Sequence, residues 1–173
     1  MIIRNARTTD MRAVTDLSNA TILTTTAAWT DALETYEERV AWFEEQRRSA
    51  NPVLVAETAA NGEVVGFATY GEFRDSTKWP GYRFTVEHSI HVREDHWGRG
   101  IGRALLEAVI AQAVANDKHV MVAAVDSTND ASIRFHERLG FVEVARMPQI
   151  GRKFDRWLDL VLMQRILDPG TER

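Results

Sequence analysis

Hydrophobic and polar positions along this chain change period several times, and each change marks an element. Residues 2–6 form a short apolar-led run that predicts a first strand. Helix-start side chains in Thr8-Thr9-Asp10 follow, then Met11, Val14, Leu17 and Ile22 at near-helical spacing. The β-branched run Thr24-Thr25-Thr26 disfavours helix, so a loop carrying Trp29 is expected there. Thr35-Tyr36-Glu37-Glu38 spells a capping box for a second helix through Val40, Trp42 and Phe43, which Asn51-Pro52 ends. Residues 53–57 and 64–70 read as strands joined through Asn61-Gly62, the commonest tight-hairpin signal. A polar loop over 71–82 precedes a clean alternation in 85–92, with Val86, His88, Ile90 and Val92 opposite Thr85, Glu87, Ser89 and His91.

Farther on, Ile101, Ala104, Leu105, Ala108, Val109 and Ala113 place one packed face on a helix. Residues 120–125 fit a buried parallel strand. Asp126 to Asp130 is a turn rich in N-cap side chains, leading to a helix through Phe135 and Leu139 that stops at Gly140. Residues 141–146 and 157–163 read as two last strands separated by a loop over 147–154. The order is that of a mixed α/β protein.

Composition narrows this picture. A length of 173 residues with 45% hydrophobic content fits one domain over 1–173, and no linker, repeat or low-complexity tract divides it. A formal net charge of -4 argues against general nucleic-acid binding, although Arg93, Arg99 and Arg103 gather around one turn. The absence of cysteine excludes disulfides, thiolate zinc sites and a cysteine nucleophile. With no signal-peptide core and no apolar run near about 18 residues, the expectation is a soluble cytoplasmic protein without a membrane partner.

That turn is His96-Trp97-Gly98-Arg99-Gly100-Ile101-Gly102, set where a strand hands over to a helix. Glycine at alternate positions lets successive backbone N–H groups close on an anion, and the helix adds its unsatisfied N-terminal donors. GxxxxGK[ST] is missing, and so is the third glycine of the dinucleotide fingerprint. Alone, such a turn equally serves a strand-to-helix connection that binds nothing.

The flanking residues carry more. The strand, the GxGxG turn and Leu105-Leu106, with Asn129-Asp130-Ala131-Ser132 and Leu139-Gly140-Phe141 downstream, resemble the GNAT superfamily of N-acetyltransferases. Thr85-Val86-Glu87-His88-Ser89, His119-Val120-Met121-Val122-Ala123-Ala124, Met147-Pro148-Gln149 and Lys153-Phe154 with Arg156-Trp157-Leu158-Asp159-Leu160 resemble its phosphinothricin and methionine sulfoximine N-acetyltransferase subfamily. The resemblance implies the GNAT fold, a central twisted mixed sheet flanked by helices. It also implies acetyl-CoA as cosubstrate, no metal, a small amino-acid-like acceptor acetylated on its α-amino group, and a homodimer. Acetyl-CoA would meet Ile90, His91, Val92, Gly98, Arg99, Gly100, Ile101, Gly102, Arg103, Asn129 and Ser132. Where the superfamily has Gln or Arg before the glycines this chain has Trp97, so weaker CoA binding is expected than in relatives with Arg there.

The chemistry points to further residues. An α-amino group has a pKa of about 7.7 to 8.0, so a base must take its proton. Glu87 fits that role or that of a structural carboxylate, and the resemblance favours the base. His136 stands where many superfamily members carry a tyrosine that protonates the leaving thiolate; it reads as that acid or as a polar helix residue. Arg74 and Arg83 suit an anionic acceptor, and Trp29, Lys153 and Phe154 would wall its pocket. Two other functions fit the same features: an acetyl-CoA-binding sensor without transfer activity, and acetylation of peptide N-termini or polyamines.

Overall fold

The computed structural model describes residues 1–167; positions 168–173 of the expected domain lie outside the described residues. Strands β1 (Ile2–Asn5), β2 (Val53–Glu57), β3 (Val64–Glu72), β4 (Thr85–Val92), β5 (Val120–Asp126), β6 (Val142–Lys153) and β7 (Arg156–Ile166) are interspersed with helices α1 (Met11–Thr24), α2 (Tyr36–Arg48), α3 (Ile101–Ala115) and α4 (Asp130–Glu137). The sheet order is β1-β2-β3-β4-β5-β7-β6, and it is mixed, because β4 and β5 run parallel whereas β1 with β2, β2 with β3, β5 with β7 and β6 with β7 run antiparallel. Contacts divide the chain into two compact units: Met1–Tyr70 with Ser89–Val109, and Gly71–His88 with Ile110–Arg173.

In the first unit α1 and α2 turn Met11, Val14, Leu17 and Phe43 onto Val53, Val55 and Phe67 of β2 and β3. Arg4 ties β1 to this core through Asp10 at 2.7 Å and Glu57 at 2.6 Å. The expected capping box starts α2: the Glu38 N–H donates to the Thr35 hydroxyl at 3.2 Å and the Thr35 N–H donates to the Glu38 carboxylate at 2.8 Å. The β2–β3 connection spans residues 58–63, the stretch that the expected strand bounds left around Asn61-Gly62. Glu57 pairs with Val64, and residues 58–63 close through a Thr58 N–H to Glu63 carbonyl bond of 2.9 Å. Local side-chain chemistry holds this loop: the Glu63 N–H donates to the Thr58 hydroxyl at 3.2 Å and to the Asn61 side-chain oxygen at 3.3 Å.

In the second unit Met121, Ala123 and Val125 of β5 are buried with Phe141 and with Leu158, Val161 and Met163 on or next to β7 and β6. The segment expected as a loop over 147–154 is instead largely strand, since β6 continues to Lys153. Pro148 and Gly151 suggested a break. The strand absorbs them in a register shift between Met147 and Gly151, where Gln149 takes φ 51° and its N–H donates to the Asp159 carboxylate at 2.8 Å. Phe154 and Asp155, at φ 48° and 56°, make the reversal into β7.

Candidate active site

In the first unit, β4 ends against β3 with almost nothing between them. A Cβ on Gly66 would lie 2.9 Å from the His91 carbonyl oxygen, so only glycine admits this approach. The Arg93 N–H then donates to the Val65 carbonyl at 2.9 Å, and a 3₁₀ turn at Glu94–His96 carries the chain into the glycines. Gly98 and Gly100 take φ +73° and +79°, and a Cβ on either would meet nothing within 4 Å. Backbone conformation, not crowding, therefore demands glycine here, and the turn stands open to a ligand. The α3 ladder begins at once, with the Ala104 N–H on the Gly100 carbonyl at 3.1 Å, leaving the N–H groups of Ile101, Gly102 and Arg103 as the first-turn donors.

The side chains of this turn are unequal. Trp97 is 59% exposed, yet its indole N–H donates to the Val92 carbonyl at 2.6 Å, folding the ring back toward β4. Arg93 is committed to Glu63 and to Asp95, the latter at 2.7 Å, and Arg103 to Glu107 at 2.8 Å. Arg99 has no such partner among the described residues and stays exposed.

His91 points into the unit. Thr21 spends its hydroxyl hydrogen on the Leu17 carbonyl at 3.0 Å, so His91 Nδ1, 3.0 Å away, carries a proton and donates to Thr21 Oγ1. Its ring stacks on Phe67 at 4.7 Å, and burial, then the Arg39 charge, pulls its pKa down to about 4. Arg39 is itself buried. Its guanidinium bonds Ser18 at 2.8 Å and Glu34, and lies 4.6 Å over Trp42; burial lowers its pKa to about 10. Asn19 holds the Glu34 backbone at both its N–H and its carbonyl, each at 2.9 Å. Glu34 ends the loop that carries Trp29, whose indole N–H donates to the Thr26 carbonyl at 2.8 Å. The sequence reading passed over Arg39 and Asn19. The available signal was a cation at a core-facing step, since Tyr36, Arg39 and Phe43 follow one another at i, i+3 and i+7.

In the second unit Glu87 sits on β4 beside Val122 of β5 and is half-buried. Burial pushes its carboxyl above the usual range, and no hydrogen bond or ion pair among the described residues holds it. His136 is buried on α4: its Nδ1 lies 2.8 Å from the Ser132 carbonyl and its Nε2 lies 3.2 Å from His88 Nε2. Because a carbonyl only accepts, Nδ1 bears the proton, and in the neutral pair His88 donates to His136. Phe141 meets the His136 ring edge-on at 5.3 Å, and burial lowers the His136 pKa. Asn129 caps α4 by accepting the Ser132 N–H at 3.0 Å, which leaves its amide donors available. Arg74 lies 5.3 Å over Tyr82; Arg83 lies 4.2 Å over Phe84 and donates to the Pro80 carbonyl at 2.9 Å. Lys153 is buried and faces the exposed Phe154 ring at 4.9 Å. The second unit thus brings Glu87, His88, His136, Asn129 and Ser132 onto β4 and α4, whereas Arg74 and Arg83 turn onto aromatic rings within residues 73–84.

The profile of the acetyltransferase (GNAT) family matches residues 15–141. The chain belongs to this family. Among GNAT proteins it is similar to the L-amino acid N-acyltransferase MnaT of Escherichia coli, 47% identical over 99% of this chain and 97% of that one. It is also 47% identical to an L-methionine sulfoximine/L-methionine sulfone acetyltransferase of Pseudomonas aeruginosa, over 96% of this chain and 95% of the relative. A solved GNAT structure, a Salmonella typhimurium acetyltransferase with its cofactor acetyl-CoA, superposes with a TM-score of 0.93 at 45% identity, covering 99% of this chain and 96% of that one. The fold expected from the sequence is therefore the one found. Among the described residues no cluster of metal-ligating side chains forms, and no helix is long and apolar enough to cross a membrane.

Proposed function

We propose that this GNAT protein transfers acetyl from acetyl-CoA to the α-amino group of a small amino acid or analogue, with methionine sulfone, methionine sulfoximine and phosphinothricin as the acceptor class. Glu87 carries the reading: a half-buried carboxylate without a partner among the described residues, raised by burial above the usual carboxylate range, is suited to accept an amine proton. Likeness along nearly the whole chain to enzymes named for methionine sulfoximine and methionine sulfone, and to one named for phosphinothricin, supports that acceptor class.

The steps balance without a covalent enzyme intermediate. Glu87 takes a proton from the acceptor ammonium, directly or through water, and the neutral nitrogen attacks the thioester carbonyl. The C–N bond forms and the C–S bond breaks. The proton that nitrogen sheds as the amide forms ends on the CoA sulfur. His136 is the candidate relay for that proton, through the hydrogen bond it shares with His88. The open glycine turn, with Gly98 to Arg103, suits a pyrophosphate; Ile90, His91 and Val92 line the strand before it, and Asn129 and Ser132 supply further polar groups. Trp29, Arg74, Arg83, Lys153 and Phe154 are assigned to the acceptor. We read residues 1–173 as one functional domain, because each unit takes residues from both halves of the chain, and place it in the cytoplasm, where acetyl-CoA is at hand.

Release of CoA thiol across a panel of amino acids, peptides and polyamines tests the function. Turnover with methionine sulfone, methionine sulfoximine or phosphinothricin is the expected result. Acetyl-CoA binding without thiol release from any acceptor would identify a sensor instead, and preference for polyamines would overturn the acceptor class.

A homodimer belongs to the same reading. β6 ends the strand order and leaves Val142, Val144 and Ile150 exposed along it, with Trp157 60% exposed on β7, an apolar face that suits a second copy. Light scattering after size exclusion is expected to give twice the chain mass at micromolar concentration, and Ile150→Asp to give the monomer. A monomeric wild type removes this assignment.

A further inference from the structure

Both ends of the loop over 25–34, which carries Trp29, are tied to one stretch of α1. At its start the Thr25 N–H and hydroxyl donate to the Thr21 carbonyl at 3.1 and 2.8 Å. At its end Asn19 grips the Glu34 backbone, and Arg39 of α2 takes the Glu34 carboxylate while bonding Ser18 at 2.8 Å. We propose that Arg39 is a positioning residue for the acceptor: its bond to Glu34 selects the loop conformation that receives the amino acid. The inference deepens the acceptor reading above and rests on it.

Arg39 is poorly placed to serve stability alone. Its side chain is 6% exposed, its buried Nε has no hydrogen-bond partner among the described residues, and it stands one turn into α2, at the end where the helix dipole disfavours a cation. A buried ion pair adds little net stability, because lost hydration offsets the attraction; what it can supply is a choice between conformations. Glu34 makes that choice sharp. Its side chain is 39% exposed, so a loop that swings away hydrates the carboxylate and leaves the guanidinium uncompensated in the core. The same anchors reach the strand assigned to acetyl-CoA. Thr21, which receives Thr25, also accepts from His91 of β4 at 3.0 Å, and Phe67 stacks with the His91 ring at 4.7 Å while the Arg39 guanidinium lies 5.9 Å from its centre. Within the first unit the loop is thus registered against β4.

Arg39→Met keeps an apolar stem of similar length and leaves no unpaired ion in the core, since Glu34 can be hydrated. With methionine sulfone as acceptor, kcat/KM is expected to fall by roughly 10- to 100-fold, carried in the acceptor KM, with kcat and the KM for acetyl-CoA within about twofold of wild type. Arg39→Lys, which keeps a cation, should recover part of the loss. Glu34→Gln weakens the bond from its exposed end, tests the proposal however the Arg39 variants fold, and should raise the acceptor KM by a smaller factor. The melting temperature of Arg39→Met is expected to stay at or above that of wild type, while chymotrypsin under native conditions cuts faster at Trp29 and Leu33 and no faster elsewhere. Val14→Ala is the control: a cavity in the core beneath α1 and α2 should lower the melting temperature without raising the acceptor KM. An unchanged acceptor KM in Arg39→Met and Glu34→Gln, or an equal rise in Val14→Ala, makes Arg39 a structural residue and overturns the proposal. Faster loop cleavage with the acceptor KM unchanged also overturns it and leaves the transferase reading standing. A wild type that releases no CoA thiol with any amino acid removes both.

Discussion

Glu87→Gln is expected to lower kcat by about 10²- to 10⁴-fold, the usual contribution of a positioned base, with little change in the KM for acetyl-CoA. The substitution keeps shape and removes only the capacity to accept a proton. Burial raises the Glu87 carboxyl, and no cation among the described residues offsets that, so the acid limb of kcat/KM should lie above the range of an exposed carboxylate. In the variant that limb disappears. Stability moves the other way. A carboxyl whose folded pKa is raised favours folding at low pH, and this contribution is lost as pH rises through the folded pKa. Glu87→Gln should therefore unfold at a higher temperature than wild type near neutral pH and at about the same temperature in acid, a trade of stability for activity common at catalytic groups. An unchanged pH–rate profile would show that Glu87 is a structural carboxylate.

The second large effect is acid lability. His91 has its pKa pulled from 6.5 to about 4, so its folded form resists the proton that the unfolded chain accepts. Stability from this group is fully present above about pH 6.5 and is lost as pH falls toward 4, on the order of 3 kcal/mol across the window. His136 is lowered for the same reason and acts in the same direction. The buried carboxylate Asp10 is lowered instead, by Arg4 and the Arg7 N–H against its burial, so its stabilisation fades only at still lower pH. Urea midpoints measured from pH 7.5 to 4.5 should fall for wild type and fall markedly less for His91→Gln, which keeps a donor for Thr21 without a titrating ring. Parallel curves for the two proteins would refute the assignment.

These effects differ in how far the sequence disclosed them. Glu87 was visible because strand alternation is local: a carboxylate within Thr85 to Val92 declares its face by its position alone. The capping box at Thr35 was visible for the same reason, since its bonds join residues three apart. The glycine turn showed itself through spacing, although the commitments of Arg93 and Arg103 that single out Arg99 did not, because Glu63 is far from Arg93 in sequence. His91 lies on the strand expected at the cofactor, and its side-chain bond to Thr21 reaches a partner seventy residues away that no periodicity reveals. The β6 strand was misjudged over 147–154 because a proline and a glycine locally forecast a loop, whereas pairing with β7 held the segment extended.

The division of the chain into interleaved units bears on how it is made. The first unit requires Ser89–Val109 in addition to Met1–Tyr70, and the second requires Gly71–His88 in addition to the C-terminal portion. A nascent chain that has emerged only as far as Tyr70 therefore lacks part of the first unit and all of the second. β4 and α3 each pass from one unit to the other, so neither unit can be completed by ordering a single continuous stretch. Loop closure across such separations slows folding, and the β3 edge has no strand to pair with until β4 has been made. Truncations meant to isolate the glycine turn would meet the same obstacle, since its helix is shared.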